Sequence, residues 1–438
     1  MQRRHDIQLP TSLKDRLAQG HPWVYRNHLP PDLGMPAGTW VRVRCGDWSG
    51  YGLWDEEGPI ALRIFSERQI PDAAWLRERV RLAWALRAPL RAAGVSAYRW
   101  LFGEGDGLPG LTVDLYGDWA VVQTYAASVE ILLDWLAAAL REIAPLRGIV
   151  IRQREPDLDL AEPRTENREP EQRTKSKEQK QPDGQMTMSR STTDHEPRIV
   201  QNPKSKIQNL KLLWGEPPPR HLVVEEHGLR FYTDLRAGQK TGLFLDQREN
   251  RRYVEGLSDG RAVLNCFAYT GAFSLYALRG GARSVVSADI GKGLAEATDA
   301  NIALNRLDAA RHSFATGDCF ELLARYVEEG RRFDLVILDP PSFAKSKRNR
   351  YAALRAYTRL NALGMRCVGP GGLLATASCT SQVGPEAFKE MLAAAGASAG
   401  RRLQIFHEAG QPLDHPAPAH FPEGHYLKFV VGRVGERG

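Results

Sequence analysis

Ile337-Leu338-Asp339-Pro340-Pro341-Ser342-Phe343 and, about forty residues later, Ser378-Cys379-Thr380 decide how this chain is read. Each closes an apolar run, Phe333 to Leu338 in one case and Leu373 to Ser378 in the other. Such runs form strands buried on both faces of a parallel sheet. In open α/β sheets, ligands gather at the carboxyl ends of these strands. The two segments therefore set an acid in a proline-stiffened turn beside a strand-end cysteine, an arrangement suited to attack on a planar, electrophilic ring.

Outward from these segments, the chain from about residue 240 alternates strand and helix. Strands are expected at Ala262 to Phe267, Ser284 to Ile290, Ser313 to Gly317, Phe333 to Leu338 and Leu373 to Ser378. Helices fit over Leu294 to Leu307 and Tyr351 to Val368. Short connections of this kind predict right-handed crossovers and a doubly wound, Rossmann-like sheet. The end departs from the rhythm. Leu403 to His407 and Tyr426 to Val431 read as two strands joined by a Pro-rich loop, a terminal antiparallel hairpin.

The fold class is thus α/β, with a C-terminal doubly wound unit over 237–438. Residues 1–70 are rich in Trp, Gly, Pro and Arg, with alternating stretches such as Thr39 to Arg44, and read as a small β module. Residues 71–236 read as an α+β middle unit: a helix over Ala73 to Ala93, a Gly-rich turn at Gly103 to Gly110, strands at Leu111 to Asp114 and Trp119 to Thr124, a helix over Val129 to Ile143, and a hairpin through Leu222 to Tyr232. Residues 155–208 are dense in Glu, Lys, Arg, Gln, Ser and Thr and are expected to be a disordered insertion.

The 438 residues carry 42% hydrophobic and 25% charged side chains, as ordinary globular chains do. A net charge of +7 and a pI of about 9.1 favour a polyanionic partner without naming one. No apolar run approaches the ~18 residues of a membrane span, and Met1 to Asp6 lacks the apolar stretch of a secretory signal. The five cysteines are odd in number and far apart, with neither metal-ligand spacing nor a disulfide framework. A reducing cytoplasm and no metal are expected.

After the first expected strand comes Asn265-Cys266-Phe267-Ala268-Tyr269-Thr270-Gly271-Ala272-Phe273. A glycine in this turn permits close backbone approach to a ligand. Asp289 ends the second strand near the offset at which an acid receives ribose hydroxyls. Asp318 follows the third, where a carboxylate can accept from an adenine amino group; either acid could instead cap the next helix. Gly-x-Gly-x-x-Gly and Walker runs are absent, which disfavours a pyrophosphate. S-adenosylmethionine fits better than NAD or ATP. The candidate contacts are Phe267, Thr270, Gly271, Asp289 and Asp318, with Pro340 and with Gln247 from the polar stretch Gly238 to Arg248, which either closes over the cofactor or RNA or enters a helix with Asp246 as its cap.

Carbon 5 of a pyrimidine is a poor nucleophile. A thiolate adding at carbon 6 pushes electron density onto carbon 5, which then accepts a methyl group. Cys379 is the candidate nucleophile, and Asp339 the candidate acid at the ring nitrogen. No residue singles itself out to remove the carbon-5 proton. Trp23 and Arg26, in His21-Pro22-Trp23-Val24-Tyr25-Arg26, together with Arg248 and Phe343, are candidates for stacking on or charge-pairing with RNA.

These residues resemble the large-subunit ribosomal RNA 5-methylcytosine methyltransferases, class I S-adenosylmethionine enzymes with an N-terminal PUA domain. The likeness is carried by Gly20 to Val24, Asp106 to Leu111, Gln239 to Arg248, Asn265 to Phe273, Asp339 to Phe343, Ser378-Cys379 and Tyr426-Leu427-Lys428. It implies Cys379 as nucleophile with Asp339 as its partner, cofactor contacts around Thr270, Gly271, Asp289 and Asp318, and a PUA-like region that helps to hold structured RNA. Other RNA cytosine methyltransferases carry a second cysteine where Pro341 stands here, so product release must differ. The expected partner is large-subunit ribosomal RNA, with the chain a monomer or homodimer. Two other functions compete: methylation of a guanine nitrogen, which needs no thiol, and a non-catalytic role as an RNA-binding ribosome assembly factor.

Overall fold

The computed structural model describes residues 5–152, 210–236, 243–344 and 349–436. The insertion expected at 155–208, and residues 238–242 of the polar stretch, lie outside them. The first unit is a five-stranded sheet with the order β1-β3-β4-β5-β2, from β1 (His5–Gln8), β2 (Trp23–Tyr25), β3 (Trp40–Cys45), β4 (Trp48–Trp54) and β5 (Ile60–Ser66), accompanied by the short helix α1 (Lys14–Ala18). In β3 the expected alternation holds: Val41, Val43 and Cys45 are buried, whereas Arg44 is exposed.

The middle unit contains α2 (Ala73–Leu86), α3 (Ala88–Ala92), β6 (Ala97–Phe102), β7 (Leu111–Tyr116), β8 (Trp119–Thr124), α4 (Leu133–Ile143), β9 (Gly148–Arg152) and β10 (Leu210–Gly215). Its sheet runs β10-β9-β8-β7-β6. One face buries Trp100, Val113 and Val122 against Leu76 and Val80 of α2 and Leu136 of α4. The other, through Tyr116, Val121 and Val150, joins the core of the C-terminal unit. The single helix expected over Ala73 to Ala93 is instead two, broken at Arg87. Pro89 has no amide to donate, so the helical ladder cannot continue. The Arg87 guanidinium turns inward to the two carboxylate oxygens of Asp106 at 2.6 and 2.7 Å.

The hairpin of β11 (Leu222–Glu226) and β12 (Leu229–Thr233) is fastened to α5 (Arg248–Glu255) by a buried ion pair. Glu226 accepts from Arg251 at 2.9 and 2.6 Å. The remaining elements alternate as β13 (Ala262–Cys266), α6 (Ala272–Arg279), β14 (Ser284–Asp289), α7 (Leu294–Leu304), β15 (His312–Thr316), α8 (Cys319–Glu328), β16 (Phe333–Leu338), α9 (Arg350–Cys367), β17 (Val368–Ser378), α10 (Pro385–Ala399), β18 (Arg401–Ala409) and β19 (Lys428–Glu436). They build a seven-stranded sheet with the order β15-β14-β13-β16-β17-β19-β18. The first five strands are parallel, and β19 runs antiparallel to both of its neighbours.

The apolar run that opened the reading is explained by this layering. In β16, Leu335 and Ile337 face the core shared with α5, α6 and α7, while Val336 and Leu338 face α8, α9 and α10. Both faces are covered, so alternation with polar residues disappears. The strand order reverses between β13 and β16, which makes their carboxyl ends the crevice where doubly wound sheets bind ligands.

The Pro-rich loop between β18 and β19, residues 410–427, is more than a connection. Its Asp414 is fully buried and accepts from both terminal nitrogens of Arg248 at 3.1 and 2.7 Å and from the Arg99 amide at 2.9 Å. The Asp414 carbonyl accepts from Arg87 at 2.8 Å. A Cβ on Gly105 would sit 1.9 Å from the Pro416 oxygen, so this turn of the middle unit must be glycine for the loop to lie on it. Farther along, Glu423 accepts from Arg16 of α1 at 3.0 Å, and the Phe421 ring meets Trp23 with centroids 4.6 Å apart. One strap therefore touches all three units.

Candidate active site

Asp339 leaves the end of β16 and Cys379 the end of β17. The parallel register Leu338↔Thr376 brings the two exits side by side. Cys379 is half-buried, whereas Cys45, Cys266, Cys319 and Cys367 are buried. Its Sγ lies 4.0 Å from the carbonyl oxygen of Pro340, the residue after Asp339. Asp339 is itself oriented: Gln247 Nε2 donates to Oδ1 at 2.7 Å, and Gln247 Oε1 accepts from Asn250 Nδ2 at 2.6 Å. Held at both ends, the Gln247 amide has its orientation fixed.

Lys428 opens β19 directly opposite Ser378 in the antiparallel register. Its Nζ donates to the carbonyls of Thr380 and, at 2.8 Å, Tyr426. Only 5% of Lys428 is exposed. Burial lowers its amine from 10.5 to about 8, with the charge of Cys379 acting in the opposite sense. Tyr426 donates its hydroxyl to Asp246 Oδ2 at 2.7 Å. From α9, buried Tyr357 packs its ring 4.7 Å from that of Phe343, and burial, reinforced by the charges of Cys379 and Asp339, raises its hydroxyl above the usual range. Phe343 also meets Phe320 at 6.0 Å.

The other half of the crevice forms at the ends of β13, β14 and β15. Phe267 and Tyr269 adopt left-handed backbone at φ 61° and 50°, a conformation that side chains rarely accept and that clusters at ligand sites. Asp289 fixes this turn, accepting from the Tyr269 amide at 2.9 Å on one oxygen and the Gly291 amide at 3.0 Å on the other. Gly271 has φ 80°, and a Cβ there would lie 2.4 Å from Thr298 Cγ2. Its glycine lets α6 start tight against α7. The Thr270 carbonyl accepts from Asn301 at 3.1 Å. Asp318 caps α8, its Oδ1 accepting from the Phe320 and Glu321 amides at 2.7 and 3.3 Å. Two half-exposed carboxylates beside a strained turn, with no nest for phosphate, fit a phosphate-free nucleoside bearing hydroxyl and amino donors. S-adenosylmethionine is such a ligand, with Asp289 and Asp318 as its hydroxyl and amino acceptors.

Several expectations need correction. Arg248, expected to face RNA, is fully buried and its charge is matched by Asp414. A phosphate cannot reach it. Trp23 is half-buried, with its ring on Phe421 and its Nε1 donating to Glu104 at 2.9 Å, so it belongs to the contact between units. Arg26 is spent on the 55–59 turn, reaching the carbonyls of Asp55 at 2.5 Å and Gly58 at 2.9 Å. Gln247 points at Asp339 rather than at the cofactor crevice, and the Pro340 carbonyl points at Cys379. Asp246 caps no helix; it receives Tyr426. Lys428 gained no role from sequence. Its signal was a charge opening the apolar run Phe429-Val430-Val431.

Comparison with known proteins agrees with this geometry. Residues 162–416 match the family described as S-adenosylmethionine-dependent methyltransferase, and residues 7–67 match a PUA-like domain. Proteins named Ribosomal RNA large subunit methyltransferase I are similar over nearly the whole chain. The one from Aeromonas salmonicida is 34% identical, covering 98% of this chain and 99% of its own. The one from Shewanella denitrificans is 35% identical over the same shares. A crystal structure of a protein assigned as a methyltransferase, complexed with SAH, shares the fold with a TM-score of 0.79 at 20% identity, covering 98% of this chain and 100% of that one. The chain belongs to the S-adenosylmethionine-dependent methyltransferase family, in the form that carries an N-terminal PUA-like domain.

Proposed function

We propose that this chain methylates carbon 5 of a cytosine in large-subunit ribosomal RNA through a transient bond to Cys379. The observation that carries the reading is Cys379 itself, the one incompletely buried thiol of five, set at a strand end beside an oriented carboxylate. The names of the full-length relatives, the PUA-like domain and the net charge of +7 support ribosomal RNA as the substrate. Bound S-adenosylmethionine supplies an electrophilic methyl group.

The residues of the chain then divide the remaining work. The Cys379 thiolate forms a bond to carbon 6, and the displaced electron pair moves through the ring toward carbon 5. Asp339, aimed by Gln247, stabilises the charge that appears at the ring nitrogen. Phe343, braced by Phe320 and Tyr357, offers an aromatic face for the base. Loss of the carbon-5 proton returns the electron pair and expels the thiolate. In this reading residues 1–70 hold structured RNA, 71–236 bridge, and 237–438 transfer the methyl group, in the cytoplasm.

Replacing Cys379 by Ala tests the reading. Methyl transfer to RNA should fall by more than about 10³-fold, as when an activated nucleophile is lost, while thermal unfolding stays unchanged. Turnover retained in Cys379→Ala, with methylguanine in nucleoside digests, would instead establish nitrogen chemistry.

A further inference from the structure

The groups that face Cys379 come from four directions: Asp339 from the end of β16, Tyr357 from α9, Tyr426 from the strap and Lys428 from β19. Two are phenols, one is a carboxylate, and Lys428 is the cation of the set. An acid and two buried hydroxyls disfavour a thiolate or leave it unaided. Something must offset them if the sulfur is to act as a nucleophile at neutral pH, where an ordinary thiol, with its pKa of about 8.5, is mostly protonated.

Lys428 is placed for that task by the sheet. The antiparallel register fixes it across from Ser378, and its Nζ grips the carbonyl of Thr380, so the amine spans the two residues that flank the cysteine. Its second acceptor, the Tyr426 carbonyl, holds the amine from the other side. A buried lysine is costly to keep in an otherwise apolar strand start. Two carbonyls satisfy two of its three donor positions.

We propose that Lys428 is the positioning charge that keeps Cys379 reactive: its ammonium, held against the 378–380 turn, stabilises the thiolate. The S–H bond breaks and its proton leaves to solvent, while the electron pair stays on sulfur opposite the ammonium charge. The inference rests on Cys379 as the nucleophile. It adds a residue for which the methyl-transfer reading had no role. The strap that fastens the N-terminal unit through Glu423 and Phe421 leads directly into this lysine, so the thiol is tuned by the segment that also joins the units.

Alkylation of the full chain with iodoacetamide tests it without RNA or cofactor, with Cys379 followed by peptide mass spectrometry from about pH 5 to about pH 10. In the unaltered protein the midpoint should lie below the ordinary thiol value of about 8.5. Lys428→Met should raise it by about one pH unit and slow alkylation at neutral pH about tenfold. Lys428→Arg, which keeps the charge, should recover most of the loss. A lysine that merely staples β19 to the turn would leave the midpoint where it was. A wild-type midpoint at or above the ordinary value, or an unmoved midpoint in Lys428→Met, overturns the proposal. Should Lys428→Met unfold by circular dichroism, the wild-type midpoint alone decides. Failure of Cys379 as methyl-transfer nucleophile would appear separately, as turnover retained in Cys379→Ala.

Discussion

Two consecutive residues, Gln247 and Arg248, reach two different aspartates, and the difference between those aspartates separates chemistry from architecture. Asp339 is half-buried and is held on one oxygen by a neutral amide. Asp414 is fully buried and surrounded by Arg248, the Arg99 amide and His415. Burial alone would raise the Asp414 carboxyl, but the charges and hydrogen bonds of His415 and Arg248 outweigh it and hold the group far below the usual carboxylate range. A carboxylate so fully matched has no capacity left for a substrate. One oriented by a neutral partner keeps its charge for a reacting ring.

The same substitution at both positions should therefore break different things. Asp414→Asn leaves Arg248 buried against a neutral group, a change that typically costs about 3–5 kcal/mol. It should lower the denaturation midpoint markedly. Because the folded carboxyl stays ionised well below the unfolded value of about 3.9, its contribution is complete above that value and fades only as pH falls through the folded one. The deficit of Asp414→Asn should then be equal at about pH 6 and about pH 9. A deficit that shrinks between those values would show that the pair is not what stabilises the strap.

Asp339→Asn should do the reverse. Turnover should fall by about 10²–10⁴-fold, the usual scale for a lost acid or base, with the unfolding midpoint nearly unchanged. The smallest effect belongs to Gln247→Ala, which leaves Asp339 in place but unaimed. A loss of about tenfold to a hundredfold in kcat is expected from misorientation alone, with little change in S-adenosylmethionine binding by calorimetry. Weakened cofactor binding would return Gln247 to the cofactor role first expected of it.

What could be read in the sequence follows the range of the interactions. The β16 run and its exit at Asp339 were legible because burial on both faces writes itself locally, as an unbroken string of apolar side chains. The strand-end acids Asp289 and Asp318 were legible for the same reason, although both turn out to fasten backbone amides as well. The break of the first middle-unit helix at Arg87 could have been suspected from Pro89, yet the inward turn of Arg87 depends on Asp106 and on a carbonyl more than three hundred residues away. Arg248 and Trp23 were misread because a basic or aromatic residue gives the same local signal on a surface as at a contact between units. Their partners, Asp414 and Phe421, lie on the strap, and no periodicity links them.

The central claim is that Cys379 bonds to a pyrimidine ring beside Asp339. Ribosomal RNA carrying 5-fluorocytosine at the methylated position tests it most directly, since fluorine cannot leave as a proton does and the covalent intermediate is trapped. Incubated with S-adenosylmethionine, the protein should form an adduct that survives denaturation and maps to Cys379 by mass spectrometry. Normal turnover on native RNA with no adduct on the fluorinated strand would contradict the account.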